Sequence, residues 1–233
     1  MLRNLFRSYW DLPRMIHMLI MLEFTLSLIH VAFILVLNIF LRKQGFSDPE
    51  IASFNSLRFI GALIFAFPLG IYIRGKKLKP FFLLAAIIVP ITSALIIESV
   101  HNETIPLIKL SFLLWGVGMM LMRVCSLPFI IRNTTVDNST EALSLSASTW
   151  SLATIFSGII ISGLDWINYF SLGSWIIYFN ERSILWIITI LGISAIFFAL
   201  RISENEPDNV QKDSTVFSLY KQYDWTVIIK ALS

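Results

Sequence analysis

Cysteine is nearly absent: Cys125 is the only one in 233 residues. That excludes an internal disulfide and a cysteine-based metal cage. Charge is scarce as well, at 14% of residues, where a soluble domain carries roughly 25%. The net charge of +3 is small, and the cations cluster at the ends of apolar runs. They set topology and do not make a nucleic-acid surface. The three histidines, His17, His30 and His101, belong to no metal-ligating constellation, and no cofactor is implied. No serine has the G-x-S-x setting of an intramembrane protease. Neither Gly116-Val117-Gly118 nor Ser157-Gly158 supplies it, and no histidine lies on a later helix that could serve it. No catalytic residue is assigned, and the chain reads as a non-enzyme.

What is present is apolar sequence. The chain is 56% hydrophobic with a mean hydropathy of +0.75, which predicts an integral membrane protein. Six runs stand out: His17 to Leu41, Ile51 to Ile73, Phe81 to Ile97, Pro106 to about Ile131, Ala142 to Leu164 and Ser183 to Leu200. Each is about 20 residues, enough to cross a ~30 Å hydrocarbon core as a helix. The fold class expected is therefore all-α, with six transmembrane helices spanning residues 17–201. Residues 1–16 form a cytoplasmic or interfacial N-terminus, in which Leu2, Leu5, Phe6 and Trp10 alternate with Arg3 and Arg7. Residues 202–233 read as a cytoplasmic linker and the start of a seventh helix.

Orientation follows from Lys and Arg. With the N-terminus inside, the inner flanks hold Arg3, Arg7, Arg14, Arg74, Lys76, Lys77, Lys79, Arg132, Arg201, Lys212, Lys221 and Lys230. The outer connections hold only Arg42, Lys43 and Arg182. The expected location is a multi-pass protein of the bacterial inner (plasma) membrane.

A charge in hydrocarbon costs about 3 kcal/mol or more, so each one asks for a reason. Run one carries Glu23, Ser27, His30 and Asn38, with Ile34 completing the series. At 100° per residue they form one polar stripe. Run two places Asn55 and Arg58 on one face, and run four places Lys109 and Arg123 on another. Runs three and six hold no ionisable residue within their apolar cores. The third member of each triplet is thus the apolar one, the pattern of two inverted three-helix repeats. In run five, Ser144, Ser148, Ser151, Gly158 and Ser162 share a face, and small residues at that spacing predict close helix packing. The charges also have structural readings: Arg123, Arg58 and Lys109 could snorkel to lipid headgroups, and Glu23 could pair with Arg14 or Arg123.

Several stretches together resemble the N-terminal half of a major facilitator superfamily transporter. Leu37 to Ile51, running through Arg42-Lys43-Gln44-Gly45-Phe46-Ser47-Asp48-Pro49, is similar to that family's passage from its first helix to its second. Pro68-Leu69-Gly70 followed by Arg74-Gly75-Lys76-Lys77 is similar to the signature of its second loop, although no acidic residue lies between Gly70 and Pro80. Leu127-Pro128-Phe129 with Arg132-Asn133-Thr134 is similar to the end of its fourth helix. The resemblance implies that helices 1 and 4 line a central cavity, with 2 and 5 beside it and 3 and 6 peripheral. It implies a gating loop at Gly70, Arg74, Lys76 and Lys77. It also implies alternating access for a small solute, with a coupling proton or ion and a matching C-terminal six-helix half as partner. Glu23, His30, Asn38, Asn55, Arg58 and Arg123 are then the candidate solute and proton pathway. The competing readings are a six-helix subunit working as a homodimer and a non-functional fragment.

Overall fold

A computed structural model describes residue 9 and residues 12–135, 138–170 and 179–204. Among these residues there is no strand, and six helices are long and apolar enough to cross a membrane. They are α1 (Arg14–Lys43), α2 (Asp48–Tyr72), α3 (Lys79–His101), α4 (Ile105–Asn133), α5 (Ser139–Phe170) and α6 (Glu181–Arg201). The helices run past the apolar runs because the flanking polar residues cap them. Ser47 and Glu50 form a reciprocal capping box at the start of α2, with Pro49 in its first turn. The Asn180 side chain accepts from the Ser183 backbone N–H at 2.9 Å at the start of α6.

Three expectations are corrected here. The break expected between Ile97 and Pro106 is shorter than that, confined to residues 102–104: α3 continues to His101, where Glu98 is held from outside the helix. Arg182 donates to both of its carboxylate oxygens at 2.8 and 2.9 Å, and Trp186 donates at 3.1 Å. The connection expected over 165–182 is helical as far as Phe170, while Trp175 and Tyr178 lie outside the described residues. Among the described residues the small-residue stripe of α5 is not the face by which it packs in this bundle. Ser144, Ser148, Ser151 and Ser162 are exposed, whereas Ala142, Thr149, Ala153 and Ser157 are buried. The buried series falls nearly opposite the serine stripe by helical spacing.

α1 is also not the straight rod assumed in counting its faces. Phe33–Leu37 forms one π-helical turn between Arg14–Ala32 and Asn38–Lys43. Bonding from i to i+5 takes in an extra residue and shifts the register beyond it. Ile34, placed by counting on the stripe of Glu23 and His30, is instead exposed. α6 is likewise interrupted at Ile193, where Gly192 lies against the Ile29 side chain of α1. Leu2, Leu5, Phe6 and Trp10 of the interfacial N-terminus and the seventh-helix start fall outside the described residues.

The packing has a simple rule. α4 packs chiefly on α2 and α3, and α1 chiefly on α5 and α6. α3 packs against α6, while α1 and α4 touch each other only lightly. Exchanging the first three helices for the last three leaves these main contacts unchanged. α1 is the most buried span, and α2 and α5 are the least. The tightest approach is between α2 and α4, where two glycines face backbone. A Cβ on Gly116 would lie 2.8 Å from the Arg58 carbonyl carbon, and one on Gly61 would lie 3.1 Å from that of Leu113.

Backbone cannot yield as a side-chain tip can. Gly116→Ala is therefore expected to destabilise the protein by about 1–3 kcal/mol as α2 is pushed away. Gly158→Ala, with nothing within 4 Å of the added carbon, should be neutral or stabilising by up to about 1 kcal/mol. Thermal unfolding of the two variants in the same detergent checks the contrast.

Candidate functional site

Glu23 lies nine residues in from Arg14 on α1, about 13 Å along the helix axis. Arg123 lies ten residues in from Asn133 on α4, about 15 Å from the same side. Both therefore sit about a third of the way along their helices, measured from the same side. Between α1, α4 and α5 there is a cavity of about 300 Å³, with Glu23, Ser27, Arg123, Ser126, Ser146 and Trp150 in its wall. α2, α3 and α6 contribute nothing to that wall.

Glu23 is buried, at 8% exposure. Its two carboxylate oxygens accept one hydroxyl each, from Ser126 of α4 and from Ser146 of α5, the latter at 2.7 Å. Among the described residues it forms no ion pair with Arg14 or Arg123. Arg123 is exposed and holds its guanidinium over the Trp150 ring, 5.6 Å from the centroid. One carboxylate and one guanidinium thus share a cavity without neutralising each other.

His30 lies about 24 Å along α1 from Arg14. It does not line the cavity. Its ring is packed between the indoles of Trp115 and Trp150, with centroids 5.1 and 5.0 Å away. Among the described residues the His30 Nδ1 and the Trp115 Nε1 are buried with no hydrogen-bond partner. Arg58, half-buried on α2, places its guanidinium 5.2 Å from the Trp115 centroid and 4.6 Å from that of Phe59. A continuous series of contacts therefore runs from Arg58 through Trp115, His30 and Trp150 to Arg123.

The remaining candidates lie elsewhere. Asn38, exposed at the far end of α1, accepts from the Asn55 amide at 3.1 Å, and Asn55 also donates to the Ile51 carbonyl at 3.0 Å. These two amides tie α1 to α2. Gly70, Arg74, Lys76 and Lys77 are at the opposite end. There the backbone N–H groups of Leu78 and Lys79 donate to the Glu204 carboxylate at 2.6 to 2.9 Å. Arg132 donates to the Lys76 carbonyl at 2.9 Å, and the Lys76 ammonium sits 3.1 Å from the Tyr72 ring centroid. Glu204, beyond α6, thus supplies the acidic partner that the loop itself lacks, at the N-terminal end of α3 where a negative charge is favoured.

Ser126, Ser146, Trp115 and Trp150 were not singled out by sequence reasoning. Ser126 was findable, since it follows Arg123 by one helical turn. Ser146 belongs to the 142–149–153–157 series that packs α5. Nothing in the sequence alone pairs the two tryptophans across His30. Among the described residues no group of three or more His, Cys, Asp or Glu is gathered as a metal site. No family model matches the chain, and no curated protein or solved structure matches it.

If Glu23 is the shared acceptor, Ser126→Ala and Ser146→Ala should each cost about 1–3 kcal/mol in stability. In a Glu23→Leu background the same two changes should cost little. A double-mutant cycle on unfolding midpoints measures the coupling; equal losses in both backgrounds would show that the hydroxyls act independently of Glu23.

Proposed function

We propose that these six helices form the N-terminal half of a secondary active transporter of the major facilitator type, moving a small solute by alternating access. The observation that carries this reading is the cavity between α1, α4 and α5, which holds Glu23 and Arg123 with no ion pair between them. Ionisable groups kept at that depth, at a cost of several kcal/mol, mark solute and ion pathways. The resemblance of the two loop segments and of the end of α4 points to the same class.

Three further features support it. The exchange of helix triplets that preserves the packing agrees with two inverted three-helix repeats. The cations assigned to the outer side are all neutralised: Arg42 by Asp48 at 2.9 Å, Lys43 by Glu181 at 2.5 Å and Arg182 by Glu98 at 2.8 Å. The larger number of Lys and Arg on the flanks at the opposite side, including Arg74, Lys76 and Arg132, agrees with a cytoplasmic N-terminus. Finally, α2 and α5, the least buried spans, expose Phe59, Leu63, Phe67, Ile155 and Ile159. Lipid and a second six-helix half are the surroundings this reading assigns to them.

In this mechanism the solute binds at the Glu23–Arg123 layer. The path then passes the His30 layer about 11 Å further along α1, and the Asn38–Asn55 pair about 12 Å beyond that. Glu23 or His30 carries the coupling proton. The basic loop, tied by Glu204 and Arg132 to the ends of α6 and α4, is where a rocking motion would be felt.

The test is uptake by the complete transporter in proteoliposomes under an imposed proton gradient. Glu23→Gln and His30→Ala should each lower gradient-driven uptake roughly tenfold or more with expression intact. Wild-type uptake in both would remove these residues from the mechanism. Should the purified particle instead have the mass of two copies of this chain, the homodimer reading would replace the half-transporter.

A further inference from the structure

The cavity between α1, α4 and α5 also limits what fits it; this deepens the transporter reading and rests on it. In a low-dielectric setting a carboxylate and a guanidinium in one cavity ordinarily pair. Here Ser126 and Ser146 hold the Glu23 carboxylate, and the Trp150 face holds the Arg123 guanidinium. The guanidinium is left with its donors uncommitted to any acid among the described residues. A planar five-donor cation of this kind matches a small oxyanion in a bidentate way, which an ammonium does not. The wall beside it is apolar: Leu26, Met119, Met122 and Leu127 accompany Trp150. Thioether side chains adapt to varied apolar shapes, and the indole offers a flat stacking surface.

We propose that this cavity takes a monovalent organic anion with a flat apolar body, and that Glu23 takes up one proton as the anion binds. The anionic group sits on Arg123. The body lies along Trp150, between Met119 and Met122. The proton follows from charge. An anion at Arg123 adds a negative charge to a cavity whose other ionisable group is a carboxylate, and two negative charges there repel. Proton on Glu23 and anion on Arg123 therefore favour each other by the same factor. With the anion against Arg123 and a proton on Glu23, the loaded cavity carries no net charge.

The other charged groups do not obscure this. α4 presents Arg123 to Glu23, and α5 presents the hydroxyls of Ser146 and Thr149, with Glu141 in its first turn. On α1 itself, His30 lies two turns away behind Trp150. α2 contributes Arg58 beyond Trp115. α3 and α6 carry charge only at their ends, at Lys79, Glu98, Glu181, Arg182 and Arg201.

The probe is benzenesulfonate, which stays ionised throughout, so any proton taken up belongs to the protein. The full chain in phosphatidylcholine nanodiscs is titrated calorimetrically from about pH 5 to 9 in buffers of differing ionisation enthalpy. The expected result is saturable binding with uptake approaching one proton within that window, and none in Glu23→Gln. Arg123→Gln should weaken binding about tenfold or more, with Arg123→Lys recovering part of it. Because Arg123 is exposed, both variants should melt within a few degrees of the parent. Neutral benzamide should bind the parent and Arg123→Gln alike. No saturable binding of benzenesulfonate, tighter binding of benzylammonium, or proton uptake unchanged by Glu23→Gln would overturn the proposal. Flux through the complete transporter in proteoliposomes separates it from the reading it rests on. Benzenesulfonate that binds with proton uptake but does not cross leaves the site standing and removes the transporter. Benzylammonium that crosses while benzenesulfonate does not leaves the transporter and removes this site.

Discussion

Hydrocarbon offers no hydrogen-bond partner, so every polar group that enters it must bring its own. The six helices meet that demand for their backbones without outside help. Glu23 cannot, and the structure meets its demand with one hydroxyl from α4 and one from α5. The consequence is mechanical as well as electrostatic. α1 and α4 touch only lightly by packing, so a shared carboxylate is a specific link between them. Removing either hydroxyl leaves a carboxylate oxygen buried without its partner, which is the costly outcome for such a group. A cavity opens beside the same link, and the unmatched Arg123 stands in its wall.

The rest of the bundle is arranged around that seam. α2 presses against α4 through Gly61 and Gly116, close enough that neither position has space for a Cβ. α5 presses against α1 through Ala142, Thr149, Ala153 and Ser157. α3 and α6 close the other side by packing on each other, α3 also on α4 and α6 also on α1. At one end, three ion pairs neutralise the cations. At the other, Glu204 and Arg132 tie the basic loop to the ends of α6 and α4.

Much of this was legible in the sequence, for a physical reason. A membrane span needs a long apolar run, so all six helices could be located from composition, with ends wrong by a few residues where capping groups extend them. The buried position of Glu23 and His30 agrees with one polar stripe on α1 as far as His30. Beyond it, the π turn at Phe33–Leu37 breaks the count, and periodicity cannot announce such a turn. The α5 face was misread because serine and alanine are both small. Spacing alone does not say which stripe meets the protein and which meets the outside. Glu98 looked like a loop residue because its partners, Arg182 and Trp186, lie far along the chain. The two tryptophans flanking His30 were invisible for the same reason.

The central claim is that the Glu23–Arg123 seam faces water and not acyl chains. Single cysteines in a Cys125→Ser background, labelled with a membrane-impermeant thiol reagent, test it most directly. Ser27→Cys and Ala147→Cys, in the cavity wall, should react, while Leu63→Cys and Ile159→Cys, on exposed apolar faces, should stay unmodified. If the cavity positions resist the reagent while the apolar faces accept it, the helices are arranged the other way round and the account fails.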